Sequence, residues 1–383
     1  MFLEPDGAEI DWIAGYRPPP EKYQEQVDNV LRGVGTFKNL SDRYAKDPAN
    51  VETIYALAGK YETRNKPEKA TELYKQVIAL DPDGKKGTTV FQNEKVTFTQ
   101  AAEFALAAAA MSTRPPDPAP LRALAKKYGG SPISRQAYSR MSPYYQRSAT
   151  KEEAAQFYEE YTAKFPQDPE AFGAWAGRIL SDKGPYEKGI ELALRAVDLM
   201  KKSVEKTKEI PRSNAYQVLA DLYLAAGDKS KAAETADRMI QFASSLPGTA
   251  EGAASPAVMA APAAAQIFVQ AGQAEKALSV FGPEFIKKNM GNAAILGRYA
   301  QFWSSQGQNL ESALEAAKKA AELAPANFPV WGTLSEIYMK QKNYGDALKA
   351  AEKALQTAPD QPPQLRDSIK KRIEEIKAAQ EKK

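Results

Sequence analysis

The sequence predicts an all-α fold built from repeated pairs of helices, and three observations support this prediction. The first is a pattern of apolar and small residues in residues 328–359 that starts at Trp331. Counted from Trp331, positions +3, +4, +7, +16, +20, +23 and +28 hold Leu334, Ser335, Tyr338, Ala347, Ala351, Ala354 and Pro359. Residues at +3, +4 and +7 share one face of a helix, because the α-helical period is 3.6 residues.

The second observation is that the three alanines lie on one face of a following helix, with a turn at residues 342–344 between the two. The third is that the same offsets recur from Ile54 onward. That unit holds Ile54, Leu57, Ala58, Tyr61, Ala70, Tyr74, Val77 and Pro82. A pattern that repeats in register predicts a stack of similar helical hairpins.

These slots resemble the tetratricopeptide repeat, in which an aromatic–Leu–small–Tyr helix precedes an Ala-based helix and a terminal Pro. The resemblance implies a TPR-type right-handed α-solenoid over residues 34–360. Seven repeats are recognisable, with first slots at Ile54, Tyr138, Phe172, Tyr216, Ala261, Leu296 and Trp331. A degenerate repeat is expected at residues 99–128.

Two segments interrupt the predicted repeats. Residues 83–98 lose the helical period and are expected to form an extended insertion, while residues 244–257 are a linker rich in Ala, Pro, Gly and Ser. Pro262 follows this linker, so the next helix is either kinked there or begins there. Residues 361–383 are expected to form a capping helix with charged outer faces, as the end of a solenoid requires.

Residues 1–33 do not follow the repeat. They predict an extended run at residues 1–4, a turn at residues 5–7, a second strand at Ile10–Tyr16 and a helix at Glu21–Leu31 behind three prolines. This order is similar to the C-terminal end of a thioredoxin-like domain without its Cys-x-x-Cys. The resemblance implies a remnant with no redox activity and an extracytoplasmic location. A plain hairpin-plus-helix cap on the solenoid explains the same residues.

Composition excludes several kinds of chemistry. The chain of 383 residues contains neither cysteine nor histidine, so it lacks thiols, the commonest metal ligand and the commonest general base. We therefore expect no catalytic, cofactor or metal site. The 52 basic and 48 acidic residues are too evenly balanced for a nucleic-acid footprint. No apolar run approaches the length of a membrane span, and the N-terminus shows no signal peptide.

Local charge clusters have ordinary explanations. Acidic pairs such as Glu152–Glu153 and Glu374–Glu375 lie on the outer faces of predicted helices, where solvated surface is the expected role. The segment Asp81–Gly84 lacks the alternate ligands and the closing Glu of a calcium loop, so it predicts a turn. Lysine pairs are dispersed among acidic residues along the chain.

The remaining candidate site is a groove. In TPR solenoids the first helix of each pair lines the concave side, so the resemblance implies ligand contacts at positions +1, +5 and +8 from each first slot. The candidate contacts are Tyr55, Glu62, Gln146, Leu180, Gln217, Asp221, Leu224, Gln266, Gln301, Gly332, Glu336 and Met339. Glycine or another small residue recurs at position +1, which leaves a groove lined partly by backbone and by neutral side chains that suits an extended peptide, an inserted helix or a neighbouring copy. Alternatively, the small residues only set the curvature.

The sequence thus predicts a non-catalytic scaffold that binds a protein or peptide, with no nucleic-acid partner and no membrane span. The Lys/Asn set with which some TPR proteins clamp a C-terminal carboxylate is absent. One alternative is a homo-oligomer or filament formed through the N-terminal hairpin edge and the solenoid ends. Another is an accessory region of a thioredoxin-like redox protein whose catalytic part lies outside this chain.

Overall fold

The computed structural model describes residues 1–13, 20–91, 94–207, 214–247, 254–360 and 362–381. The end of the predicted second strand, at residues 14–16, and the middle of the predicted linker, at residues 248–253, lie outside this part of the chain. The strands are β1 (Phe2–Leu3), β2 (Glu9–Asp11), β3 (Thr88–Phe91) and β4 (Glu94–Thr97).

The helices occupy most of the described chain and follow one another in the predicted hairpin order. They are α1 (Pro20–Leu31), α2 (Phe37–Lys46), α3 (Val51–Thr63), α4 (Pro67–Leu80), α5 (Phe98–Ala109), α6 (Ala119–Lys127), α7 (Pro132–Arg147), α8 (Lys151–Lys164), α9 (Pro169–Ser181), α10 (Tyr186–Thr207), α11 (Ala215–Ala225), α12 (Lys229–Ser245), α13 (Pro256–Gln270), α14 (Ala274–Phe281), α15 (Pro283–Lys287), α16 (Ala293–Gln306), α17 (Leu310–Leu323), α18 (Phe328–Lys340), α19 (Tyr344–Thr357) and α20 (Pro363–Glu381).

The chain forms two compact units. The N-terminal unit comprises Met1–Gly184 and Glu191–Lys201, and the C-terminal unit comprises Pro185–Ile190 and Lys202–Lys383. In the N-terminal unit α3 packs on α4, α5 on α6 and α7 on α8, and the first helices α3, α5, α7 and α9 contact one another in order.

The C-terminal unit repeats this arrangement. Helices α11, α13, α16 and α18 pack on α12, α14, α17 and α19, and the four first helices contact one another in order. The predicted all-α fold of TPR-type helix-turn-helix repeats is confirmed. None of the described helices is long and apolar enough to cross a membrane.

The turns within the pairs share one backbone conformation. A residue with positive φ stands eleven positions after the first slot in six repeats: Asn65, Lys183, Gly227, Gly272, Gly307 and Lys342. This left-handed residue ends the first helix and reverses the chain, a role that favours glycine or asparagine. At Lys342, with φ of 57°, an ordinary side chain accepts the conformation.

The repeat slots form the core, with exceptions. Ile54, Leu296 and Trp303 are completely buried, as the pattern predicts. Tyr61 and Tyr223, however, are only half-buried. If both tyrosines belong to the core, the repeat pattern predicts that replacing either with alanine costs about 3 kcal/mol or more, the value for a fully buried aromatic side chain. Their partial exposure lowers that expectation.

The structure corrects one detail of the sequence prediction and refines two others. The second N-terminal strand, predicted at Ile10–Tyr16, spans Glu9–Asp11 among the described residues, and the backbone N–H of Trp12 donates to the Asp11 carboxylate rather than to strand β1. The predicted extended insertion contains an antiparallel hairpin in which Thr88 pairs with Thr97. Helix α13 begins at Pro256 and continues through Pro262.

Ion pairs fasten the N-terminal hairpin to α3. The Asp11 carboxylate accepts from Lys60 Nζ at 2.5 Å and from Arg64 Nη2 at 2.8 Å, and Arg64 also contacts Glu9 at 2.5 Å. The side chains of Asp11 and Arg64 are only 2% and 5% exposed. The guanidinium also lies 4.3 Å from the ring centre of Phe37. These contacts tie the hairpin to the first repeat.

Candidate functional site

The first-helix surface, defined by the groove positions named above, divides by exposure. Exposed positions are Glu62, Gln217, Gln301 and Gly332. Half-buried positions are Tyr55, Gln146, Leu180, Asp221, Leu224, Gln266, Glu336 and Met339. Since successive first helices contact one another within each unit, these positions follow one layer of helices in each unit.

Some predicted contacts are already engaged within the protein. Gln146 donates to the carbonyl oxygen of Ala174 on the next first helix, α9. Gln266 Oε1 accepts from Gln306 on α16 at 3.3 Å. These hydrogen bonds connect neighbouring first helices, so both side chains stabilise the layer.

Glu336 is engaged in the same way. Its carboxylate accepts from Ser304 Oγ at 3.0 Å and pairs with Lys340 at 3.1 Å. Lys340 in turn donates to the backbone carbonyl of Ser304 on α16. A ligand that used Glu336 would therefore compete with a contact between α16 and α18.

In the N-terminal unit, two of the predicted contacts lie beside a buried tyrosine. The rings of Tyr55 and Tyr74 are 5.8 Å apart, and Tyr55 is 5.4 Å from Phe98. Glu62 is exposed as a whole residue, but partial desolvation of its carboxyl group beside Tyr74 raises the pKa of that group, and a hydrogen bond with the Tyr74 hydroxyl partly offsets the rise. The cluster offers an aromatic surface with an acid at its edge.

In the C-terminal unit, Asp221 is the most distinctive of the predicted contacts. Burial raises the pKa of its carboxyl group, and no hydrogen bond or ion pair to it occurs among the described residues. Gln217 precedes it by one helical turn and is exposed, and Leu224 follows on the same face. A cationic group of a ligand would stabilise the charged form of this partly desolvated carboxylate.

A second surface, which the sequence analysis missed, lies where α17, α18 and α19 meet. We call it the outer groove, a cavity of about 580 Å³. Its lining residues are Lys318, Ala321, Glu322, Pro325, Trp331, Leu334, Tyr338, Asp346, Lys349, Ala350 and Lys353. Three of them, Trp331, Leu334 and Tyr338, are repeat slots on α18; Leu334 is buried as the pattern predicts, but Trp331 and Tyr338 are only half-buried.

The outer groove exists because small residues flank α18 on both sides. Every buried residue of α17 and of α19 is an alanine. Other second helices bury larger side chains, such as Leu73 and Tyr74 on α4 or Phe157 on α8. A methyl group cannot fill the space around an indole ring, so the first slot stays open at Trp331. The alanine-only pattern was visible in the sequence and could have indicated this opening.

One family model matches part of the chain. The family described as ChAPs (Chs5p-Arf1p-binding proteins) matches residues 253–381, which include α13 to α20 and therefore the outer groove. The match covers less than half of the chain. A search of curated proteins found no match to this chain.

Several solved structures resemble the fold at low identity. A tetratricopeptide repeat protein from Parabacteroides merdae is 11% identical with a TM-score of 0.40, over 85% of this chain and 98% of its own. YrrB, described as a TPR protein with an unusual peptide-binding site, is 15% identical with a TM-score of 0.31, over 56% and 97%. The TPR domain of P58(IPK) is 14% identical with a TM-score of 0.26, over 94% and 98%. At these values the likeness does not extend to function.

Neither comparison supports the predicted thioredoxin-like origin of residues 1–33: the family match starts at residue 253, and the three solved structures are described as TPR proteins. The hairpin and helix of that segment are present in the structure, and their origin stays a prediction.

Proposed function

We propose that this protein is a non-catalytic scaffold that binds an extended segment of a partner protein along its first-helix surface. The observation that carries the proposal is the ordered contact of α11, α13, α16 and α18. Because the contacts join neighbouring first helices, the exposed positions Gln217, Gln301 and Gly332 belong to one helical layer. Such a layer can contact a peptide that crosses several repeats.

The side chains of this layer favour a particular ligand chemistry. Gln217 and Gln301 are neutral hydrogen-bonding groups, and Leu224 and Met339 add apolar area. Asp221 is half-buried and has no cationic partner among the described residues. A peptide with a lysine or arginine opposite Asp221 and uncharged polar residues beside it matches this surface.

The family match adds support from a different direction. Its description names proteins that bind other proteins, and its matched residues contain the first helices α13, α16 and α18. Protein binding by this part of the chain is consistent with that description.

Selection from a random peptide library displayed on phage tests the proposal. The selected peptides are then measured against the Gln301→Arg/Gly332→Arg variant. A Cβ atom at Gly332 would meet no heavy atom within 4 Å, so this variant is expected to fold. We expect affinity to fall at least roughly tenfold, since two bulky cations would occupy the surface.

A matched control places the same change elsewhere. The Gln356→Arg/Gly345→Arg variant also replaces an exposed glutamine and an exposed glycine, both on the second helix α19. Peptides that bind the first-helix surface should bind this control with unchanged affinity. If both variants lost affinity equally, or neither lost any, the selected peptides would not bind the first-helix surface and the proposal would be wrong.

The two alternatives stay predictions. Strand β1 is only two residues long, so its edge offers few backbone groups for pairing with another copy. Sedimentation velocity across a wide concentration range distinguishes a scaffold from a filament, because a filament grows with concentration. The thioredoxin-like alternative predicts that residues 1–33 associate with a separate redox domain.

A further inference from the structure

We propose that the outer groove is a second docking site, which takes an acidic segment of a partner protein with aliphatic or aromatic anchors. The groove shares none of the candidate contacts of the first-helix surface. The two proposals can therefore fail separately. The inference rests on the apolar floor of the groove, on the charges of its rim and on the break in the repeat pattern.

The floor provides room for apolar side chains. Leu334, Ala321 and Ala350 are 3%, 4% and 5% exposed and form a closed base, while the rings of Trp331 and Tyr338 remain half-buried beside them. The indole N–H of Trp331 donates to the carbonyl oxygen of Pro325 at 2.8 Å, which fixes the ring. A rigid aromatic wall beside a small-residue floor is a common site for an anchoring side chain.

Most first slots of other repeats are closed, unlike Trp331. Ile54, Tyr138, Tyr216 and Leu296 stand at the same position and are at most 5% exposed. Each of these slots is closed by its neighbours. Phe172, the first slot of another repeat, is half-buried as Trp331 is. Trp331 differs in that its exposed ring forms one wall of the outer groove.

The rim carries two lysines without a close carboxylate. Lys318 on α17 and Lys353 on α19 both line the groove, and neither lies within 4 Å of a carboxylate oxygen among the described residues, although Lys318 also attracts the Asp346 carboxylate at longer range. Lys318 Nζ lies 5.8 Å from the ring centre of Tyr338, and Lys353 donates to the neutral Gln356 at 2.8 Å. Carboxylates from a bound segment could pair with both lysines.

The acidic residues of the rim narrow the choice of occupant. Glu322 pairs with Lys319 at 2.9 Å, and Asp346 pairs with Lys349 at 3.3 Å. With both carboxylates paired, the groove offers two separate lysines, Lys318 and Lys353, and not the continuous basic surface that a nucleic-acid backbone or an anionic lipid surface requires. A protein segment can instead place separate carboxylates against Lys318 and Lys353, with apolar anchors between them.

Fluorescence anisotropy with defined peptides tests this inference. The probe is a labelled peptide of about twelve residues that carries Leu and Phe four positions apart, flanked on both sides by Glu. A second peptide replaces each Glu with Lys, and a third replaces Leu and Phe with Ala. We expect the acidic peptide with its anchors to bind at least roughly tenfold more tightly than either of the others.

Protein variants locate the site. Lys318→Glu/Lys353→Glu should weaken the acidic peptide at least roughly tenfold, and Ala350→Leu should weaken it by filling the floor without changing charge. The control Lys229→Glu/Lys288→Glu makes the same change in net charge at two exposed lysines outside the groove. Circular dichroism and thermal melting verify that each variant folds.

Three results would overturn the inference. The first is equal binding of the acidic and lysine peptides, and the second is an equal loss in the control variant, which would indicate general electrostatic attraction. The third is concentration-dependent self-association that Lys318→Glu/Lys353→Glu abolishes, which would assign the groove to a second copy of this chain. Binding that depends on Lys318, Lys353 and Ala350 but not on the control lysines supports the proposed occupant.

Discussion

The substitution Asp11→Asn tests how the N-terminal hairpin is held. Asp11 is 2% exposed and receives Lys60 Nζ at 2.5 Å and Arg64 Nη2 at 2.8 Å. Asparagine keeps the size and one acceptor oxygen but removes the charge. Breaking a buried ion pair costs about 3–5 kcal/mol. Arg64 keeps Glu9 and Lys60 can reach solvent, so we expect a loss of about 2–3 kcal/mol, near the cost of losing charged hydrogen bonds.

Hydrogen exchange followed by mass spectrometry measures this loss locally. A destabilisation of about 2–3 kcal/mol corresponds to protection that falls roughly 30-fold or more in the peptides covering residues 1–13. Peptides from the C-terminal unit should be unaffected. The control is Asp42→Asn, because Asp42 makes a similar contact with Lys38 at 2.9 Å but its side chain is 58% exposed. We expect little change there.

The effect of Asp11→Asn should also depend on pH. Burial alone would raise the pKa of the Asp11 carboxyl, but hydrogen bonds from Lys60 and Arg64 outweigh it and hold the pKa below its ordinary value of 3.8. The stabilisation is therefore complete above about pH 4 and is lost as the pH falls through the lowered pKa. Wild type and variant should converge in acid. Equal protection at pH 7, or equal effects of Asp11→Asn and Asp42→Asn, would refute the reasoning.

Three further predictions concern stability and are measured by thermal or urea unfolding. Gly282→Ala should cost about 2 kcal/mol or more, because its Cβ would lie 2.1 Å from the carbonyl oxygen of Leu278. Its control, Gly332→Ala, should stabilise the protein by up to ~1 kcal/mol, because Gly332 lies on an open helix face. If the two substitutions changed stability by similar amounts, the close packing at Gly282 would be contradicted. Lys342→Gly should stabilise the protein by ~0.5–1 kcal/mol, because glycine adopts the φ of 57° at this position without the strain that a side chain causes. A decrease in stability would show instead that the Lys342 side chain makes stabilising contacts. Asp221→Asn should be more stable than wild type at pH 7, because burial raises the pKa of this acid and its charged form opposes folding. That gain should vanish as the pH falls below about 4, where Asp221 is protonated in both the folded and unfolded states, and a constant difference would refute the role of charge.

The repeat fold could be predicted from the sequence because each slot reports a local period. Leu334 and Ser335, at +3 and +4, are both buried, and so are Ala347 and Ala351 on the following helix. The left-handed turn residue at Lys342 could not be predicted from its type, since lysine rarely adopts that conformation. Its position follows from the repeat, which sets where the chain must reverse.

The hairpin contacts depend on residues far apart in the sequence. Asp11 meets Lys60 and Arg64, and nothing local in residues 1–13 indicates those partners. Residues 10–16 predict a longer second strand, whereas in the structure the Asp11 carboxylate is buried against Lys60 and Arg64 at the end of the strand. Charges that pair across about fifty residues become visible only once the fold is known.

The outer groove shows why slot patterns alone understate a repeat surface. A slot pattern records which residues face a neighbour, but the space that remains depends on how large that neighbour is. At Trp331 the buried residues of the neighbouring helices are all alanine, so an aromatic core position becomes the wall of a cavity. The first-helix surface follows from the repeat pattern, and its predicted contacts include side chains, such as Gln146, that the fold uses for its own packing. Of the two surfaces, the outer groove is the one whose side chains are less fully used by the packing of the fold itself. Substitutions there therefore test partner binding more directly than substitutions on the first-helix surface.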